Sequence, residues 1–237
     1  MHSAPTALAL ALALFAASTG LAQTIRLGGV NAPIYDEIGR LTQRLKAETA
    51  SGPLDRPTLN SGTVQFYTEG RPAGTLVFDQ AIYQKSIDSV SGSGRIEYRS
   101  DTGGDIAGTG FDYSLKTGLL QLRSDVVAHY FGTKITAAAA DSHLTRPHAG
   151  QPWLPGDSEM RGNVVVVNLD NPKIPFDRAE SEKVSYSGTT QILTVTSPLD
   201  LWRGGEKTRL ATEKFEVDFK KAVSPEVPSA PNTTPAP

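Results

Sequence analysis

The stretch YSLKTGLLQLRSDVVAHYFGTKITAA, residues 113–138, recurs without gaps as YSGTTQILTVTSPLDLWRGGEKTRLA, residues 186–211. Identical pairs include Tyr113 and Tyr186, and apolar positions agree between the copies. Each copy alternates apolar and polar residues in three short runs separated by turn residues, which predicts three strands. A looser version begins at Tyr83 and extends through residues 95–113. Self-similarity of this kind is typical of stacked β-units that share one core.

The remaining chain has the same character. Short runs rich in β-branched and aromatic residues are bounded by Gly, Asp, Ser or Pro, as at 63–68, 75–79, 163–169 and 213–220. Many short strands at close spacing predict an all-β sandwich, roll or solenoid. One segment differs, because Ile34, Ile38, Leu41 and Leu45 recur at helical spacing, and this periodicity alone predicts a helix over 33–48.

The ends of the chain set its organisation. Residues 1–22 contain an uncharged apolar run from Ala7 to Ala17, followed by Gly20-Leu21-Ala22, which predicts a cleaved signal peptide and a periplasmic protein. The alternative is an uncleaved inner-membrane anchor, since no Lys or Arg precedes the run. Residues 222–237 are rich in proline, which predicts a disordered tail. The segment 147–162 reads as a loop or a boundary between modules 23–146 and 163–221.

Composition and motifs argue against enzymes and cofactor sites. The chain has no cysteine, which excludes disulfides, thiol catalysis and a lipid-modified cysteine. The net charge of −2 argues against nucleic acid as a partner. His143 and His148 flank Pro147, so they cannot share a helix face around a metal. SGSGR (91–95) reads as a turn between strands, and GGDIAGTG (103–110) as turn and bulge glycines. We therefore expect no enzymatic activity, no metal and no cofactor.

Three blocks resemble, in order and spacing, the periplasmic lipopolysaccharide-export proteins of the LptC and LptA (OstA-like) family. They are IYDEIGRLTQRLKAETA (34–50), FYTEGRPAGTLVFDQAIYQ (66–84) and the run from Gly92 to Tyr130, and the segment 178–219 is similar to the repeat of the LptA-like bridge proteins. The resemblance implies an open β-jellyroll, in one or two stacked modules, whose interior holds the acyl chains of lipopolysaccharide. It also implies that 33–48 is a strand, and we adopt that prediction over the helix.

On this basis we expect a non-enzymatic lipid-transport component that binds lipopolysaccharide or another acylated lipid. Edge-strand addition would join it to other export proteins, including an inner-membrane transporter complex. The alternative is a closed periplasmic or surface β-sandwich that binds protein or glycan through its loops, with Trp153 and Trp202 as exposed platforms. The predicted lipid-binding groove consists of residues taken from one face of the strands: Ile96, Tyr98, Phe111, Tyr113, Leu120, Leu122, Val126, Ala128, Tyr130, Tyr186, Leu193, Val195, Leu199 and Leu201.

The segment 213–220 is the predicted edge strand for partners, because it ends the second repeat and precedes a tail that cannot pair. Its alternating apolar residues are Phe215, Val217 and Phe219. We expect Val217→Pro to remove a free backbone donor at this edge while leaving the fold intact.

Overall fold

The structure is a computed structural model that describes residues 24–101, 104–144, 156–196, 198–210 and 213–220. These residues form one antiparallel sheet of fifteen strands, which confirms the predicted all-β fold. The predicted signal peptide, the proline-rich tail and Trp153 lie outside the described residues. The strands are β1 (Thr24–Tyr35), β2 (Leu41–Pro53), β3 (Thr58–Thr68), β4 (Arg71–Gln84), β5 (Ser89–Ser100), β6 (Asp105–Ser114), β7 (Leu119–Tyr130), β8 (Thr133–Ala137), β9 (Ala139–His143), β10 (Ser158–Asn168), β11 (Arg178–Ser187), β12 (Ile192–Thr196), β13 (Leu199–Arg203), β14 (Glu206–Leu210) and β15 (Lys214–Asp218), with one 3₁₀ turn at Lys85–Ile87.

The sheet is a meander in which strands that follow each other in sequence are hydrogen-bonded neighbours from β1 to β8. Beyond β7, β10 and β11 are long strands, whereas β8, β9 and β12 to β15 have five residues each. The two halves of β7 pair separately with β8 and β9, and β10 pairs with both as well. In the same way β11 pairs with β12 through one half and with β13 through the other. The strands β7, β10 and β11 therefore each pair with two shorter strands, one along each half.

Irregularities in the middle of the strands fold this sheet over on itself. Gly110, Asp125 and Asn163 lie inside strands but have positive φ angles. The pairing register shifts at Asp125 of β7, opposite residues 107–109 of β6, and it shifts at Asn163, between Arg161 and Val164 of β10. Such bulges bend a strand and let both of its halves turn apolar side chains to the same interior. The result is a roll of two layers around one core.

The two copies of the sequence repeat adopt the same turns. The Gly118 backbone N–H donates to the Ser114 carbonyl at 2.8 Å, and the Gln191 N–H donates to the Ser187 carbonyl at 2.7 Å. Gly118 and Gln191 both have positive φ. The next turn of each copy, at 131–132 and at 204–205, has positive φ at both residues, as a two-residue hairpin of type I′ requires. The two copies thus share both turns, although β7 of the first copy is continuous where the second copy has two strands, β12 and β13.

The segment 33–48 is strand, turn and strand, so the helix predicted by periodicity is wrong and the prediction from the resemblance is confirmed. The Asp36 carboxylate accepts hydrogen bonds from the N–H groups of Ile38 and Arg40, and Gly39 has φ of 78°. This turn leaves Ile38 72% exposed. The apolar spacing came from two strands that meet at a turn, and its period coincides with that of a helix.

Two glycine-rich segments differ in outcome. SGSGR (91–95) lies inside β5, so the predicted turn is wrong, and a bulge between Gly92 and Arg95 accounts for its glycines. Beside the described residues 104–110 the extra residues lie in the neighbouring strands, in β5 between Gly92 and Arg95 and in β7 between Ser124 and Val127, so the predicted bulge lies opposite this segment and not within it. In the predicted break 147–162, β10 already begins at Ser158 and pairs with β8 and β9, so the sheet continues across this position.

The core is one continuous cluster of buried apolar side chains that extends from β1 to β15. Aromatic rings fill its centre. The ring of Phe66 meets that of Tyr98 edge to face with 5.4 Å between centroids, and Phe78 lies 5.9 Å from Phe111. The glycines opposite these rings leave room for them: Phe78 packs over Gly62, and Phe111 packs over Gly92.

Candidate functional site

An apolar cavity of about 180 Å³ lies at the β1 end of the roll. Strand β1 forms its outer wall, and β1 pairs with β2 alone among the described residues. Most of its lining is aliphatic. The lining residues are Ile25, Leu27, Gly29, Val30, Asn31, Ala32, Ile34, Leu45, Ala50, Leu54, Pro57, Leu59, Tyr83, Lys85 and Leu115.

The wall formed by β1 depends on Gly29. Side chains alternate between the two faces of a strand, so Ile25 and Leu27 should face away from Val30 and Ala32. All four nevertheless line the cavity. Gly29 has φ of 73°, a conformation that costs glycine little, and this local twist brings residues of both halves of β1 to the cavity, with Leu27 at its exposed side.

Polar groups at the cavity are few. The Tyr83 hydroxyl donates to the Asp88 carboxylate at 3.0 Å, and so it is already satisfied. The backbone N–H of Lys85 donates to the Asp55 carbonyl at 3.1 Å, which fixes the start of the 3₁₀ turn beside the cavity. Lys85 is the sole charged residue of the lining, and its side chain is exposed. The site thus combines an apolar chamber with one cation at its rim.

The predicted groove residues face the interior, but their side chains fill it. Thirteen of the fourteen are buried, and Leu201 is half-buried against the same cluster. None of them lines the cavity at β1, and their role in lipid binding stays a prediction. The interior is therefore closely packed between β5 and β13, and it is open beside β1.

Buried tyrosines run through this packed interior. Burial raises the pKa of Tyr186 to about 12, and it also raises the pKa of Tyr83, Tyr98, Tyr113 and Tyr130 above the usual value. These phenols are thus uncharged at neutral pH and keep their protons well above it.

The raised pKa values make the fold sensitive to alkali. Unfolded tyrosines lose their protons near pH 10, whereas the native ones hold theirs to about pH 12 or above. The native state then binds more protons than the unfolded state, so the free energy of unfolding should fall as the pH rises above about 10. Denaturant titrations at several pH values, followed by circular dichroism and tyrosinate absorbance, measure this. A free energy that is constant from about pH 10 to about pH 12 would contradict the burial of these phenols.

Tyr186 also borders a larger depression of about 540 Å³. Most of the residues that line it are polar, with hydroxyl groups from residues such as Ser185, Ser187 and Thr194 and with the acidic side chains of Asp141, Asp157, Glu159 and Glu216. Lys183 pairs with Glu159 at 2.7 Å, so that carboxylate is already neutralised by the protein.

The predicted edge strand lies where the sequence analysis placed it. Among the described residues β15 pairs with β12 alone, at the end of the sheet opposite β1. The apolar side chains of Phe215, Val217 and Phe219 point into the core, and Phe219 stacks on Phe131 with 4.6 Å between ring centroids. The edge therefore offers backbone groups and charged side chains.

The backbone N–H groups of β15 that point toward β12 are not the ones that the sequence predicted. The Phe219 N–H donates to the Gln191 carbonyl at 3.0 Å, and bonding alternates along an antiparallel ladder. The pairs Leu193–Val217 and Val195–Phe215 are then the bonded ones, so the Val217 N–H points toward β12. The outward N–H in the middle of the strand is that of Glu216. The expectation that Val217→Pro removes a free donor is therefore wrong.

Trp202 lies on the outer surface and is covered by cations. The guanidinium of Arg178 lies 5.4 Å from the ring centroid, and the Lys207 ammonium lies 4.9 Å from it. Both cations lie within cation–π distance of the ring, and Trp202 is half-buried. Trp202 is thus less available as a glycan platform than the sequence analysis expected.

Two further observations concern the parts of the chain that the structure describes. No helix there is long and apolar enough to cross a membrane. No three His, Asp or Glu side chains in these ranges lie close enough together to hold a metal ion.

Comparison of the sequence with the models of known protein families gave no match, and comparison with curated proteins gave none either. The resemblance to the lipopolysaccharide-export family therefore rests on the quoted sequence blocks alone and stays a prediction.

The cavity residues between Ile25 and Leu59 were not predicted from the sequence. A signal was present, because apolar residues change from odd to even positions across Gly28-Gly29. Such a change of parity at a glycine pair indicates a strand that twists to bury both halves on one side.

Proposed function

We propose that this protein is a non-enzymatic component of lipid export, which holds an acyl chain of lipopolysaccharide or another acylated lipid inside a β-roll. The observation that carries this proposal is the apolar cavity beside β1, where the packed interior ends in open space. Burial of an acyl chain there would stabilise the complex by about 25 cal/mol per Å² of apolar surface.

The ends of the sheet support a role between partners. Strand β1 and strand β15 are both edges among the described residues, at opposite ends of one continuous sheet. Each could add a strand of a neighbouring export protein, including one in an inner-membrane transporter complex. Edge strands that remain in a native sheet are sites at which other chains can pair.

A second candidate function is a closed β-sandwich module for protein or glycan. The close packing of the predicted groove favours it, since Tyr98, Phe111 and Ala128 have no exposed surface. The two functions differ in one observable property, which is whether an acylated lipid occupies the interior.

Native mass spectrometry of protein purified from cells without detergent tests the proposal. We expect part of the population to carry one acylated lipid per chain, and lipid extraction should release the same mass. A protein that carries no lipid, and that takes up none from lipopolysaccharide or phospholipid vesicles, would favour the closed sandwich.

A matched pair of proline variants tests assembly at β15. Glu216→Pro removes the outward N–H and should abolish pairing with a partner strand, while the melting temperature changes little. Val217→Pro removes a bond to β12 and should destabilise the fold by about 3 kcal/mol. Pull-down of neighbouring export proteins and thermal melts of both variants provide the measurement. Normal partner capture by Glu216→Pro would show that assembly uses another edge.

A further inference from the structure

The cavity beside β1 has a limited capacity. Its volume of about 180 Å³ is only slightly larger than an engineered cavity of about 150 Å³ that holds one benzene molecule. It therefore has room for one alkyl segment of about six to eight carbons and no room for several chains side by side. Leu45, Ala50 and Leu59 form its inner wall and are almost fully buried, so the chamber ends against the packed core.

The charge at the cavity selects among amphiphiles. The Lys85 side chain is exposed at the rim, and none of the described carboxylates forms an ion pair with it. Two acidic residues lie near Lys85: Asp88, three positions along the chain, is engaged by the Tyr83 hydroxyl, and Asp55 accepts the Lys85 N–H through its backbone carbonyl. An alkyl chain in the chamber would place its polar end beside a free ammonium group, which attracts an anion.

We propose that the β1 cavity binds a single alkyl chain whose head is a carboxylate or a phosphate, with the chain in the chamber and the head at Lys85. This inference rests on the proposed function and specifies the class of lipid that the site accepts. A lipid with several chains would then insert one of them here and leave the others outside the chamber.

The test measures the affinity of delipidated full-length protein for n-alkyl carboxylates of increasing length, each below its critical micelle concentration. Each added methylene should tighten binding about fourfold until the chamber is full at about eight carbons, after which the affinity should be constant. Alkyl phosphates of the same lengths identify which anionic head is preferred. Alkyl alcohols and alkyl trimethylammonium ions should bind more weakly than either anion.

Two variants connect the result to the cavity. Lys85→Gln should weaken the binding of anions about two- to fivefold and leave alcohols unchanged. Lys134→Gln, at an exposed position of β8, is the matched control and should change neither.

Ala50→Leu adds carbon atoms within the chamber, and it should shorten the length at which affinity stops rising by about three carbons. A thermal melt confirms that this variant is folded, and Ala32→Leu is the second choice if it is not.

The outcomes separate this inference from the proposed function. Affinity that keeps rising to about fourteen carbons would overturn the short chamber and leave an open lipid groove standing. Alcohols that bind as tightly as carboxylates, with no effect of Lys85→Gln, would overturn the anionic head while lipid binding stands. Failure of every amphiphile to bind would overturn both.

Discussion

Replacement of Gly92 by alanine should destabilise the fold by about 3 kcal/mol. Gly92 lies in β5 opposite Phe111 of β6. A Cβ atom at this position would lie 2.6 Å from a ring carbon of Phe111 and 2.7 Å from the backbone carbonyl oxygen of Gln80. A side chain could rotate away from such a clash, but the Gln80 carbonyl belongs to the neighbouring strand, so the sheet itself would have to move.

Gly94 provides the matched control two residues along the same strand. A Cβ atom there meets nothing within 4 Å, and Gly94 is not among the glycines with positive φ. Gly94→Ala should therefore change stability by no more than about 0.5 kcal/mol. Urea unfolding of the two variants is the measurement. Equal stability of both would show that β4, β5 and β6 are not packed as closely as described.

Removal of the Gln43 side chain should cost about 2 to 4 kcal/mol. Gln43 is a polar residue on the inner face of β2, and it is 6% exposed. Its Nε2 donates to the Leu115 carbonyl at 3.1 Å, and its Oε1 accepts from the Tyr113 hydroxyl at 2.9 Å. Gln43→Ala would leave both partners buried without a hydrogen bond, and an unsatisfied buried group is more costly than a bond that was never made.

A double-mutant cycle separates the network from simple packing. Tyr113→Phe should lessen the cost of Gln43→Leu, because the orphaned hydroxyl is gone, so the two effects should be less than additive. Gln121→Ala removes an exposed hydrogen bond to Asp141 and is the control, with an expected change near zero. Strict additivity of Gln43→Leu and Tyr113→Phe would contradict a direct bond between the two side chains.

The sequence predicted the strands, the repeat and the terminal edge because these depend on local alternation and turn residues. It also indicated which side chains face inward in the repeat, since burial of Leu120, Leu122 and Val126 follows the period of two. The helical spacing over 33–48 misled because a turn at Asp36–Gly39 joined two strand patterns. Local periodicity cannot distinguish these cases when a turn falls within the window.

Whether the interior is open or filled could not be predicted, because it depends on how closely the two layers approach. That distance depends on contacts between strands that are not neighbours in the sheet, such as the ring of Phe66 in β3 with the ring of Tyr113 in β6, and these residues are far apart in sequence. The donor direction along β15 depends on which pairs of the ladder are bonded, and alternation of side chains does not reveal this. The cavity arises beside a twist at Gly29. In the sequence this twist is indicated only by the change of the apolar residues from odd to even positions across Gly28-Gly29.

The most direct test of lipid binding is photo-crosslinking in living cells with probes placed inside and outside the roll. Val30 and Leu54 line the cavity and are half-buried, whereas Val77 and His129 lie on the outer face of β4 and β7. We expect adducts of lipopolysaccharide or another acylated lipid at Val30 and Leu54, and none at Val77 and His129. Equal labelling at all four positions, or labelling at none, would contradict a lipid-filled interior and favour a closed sandwich.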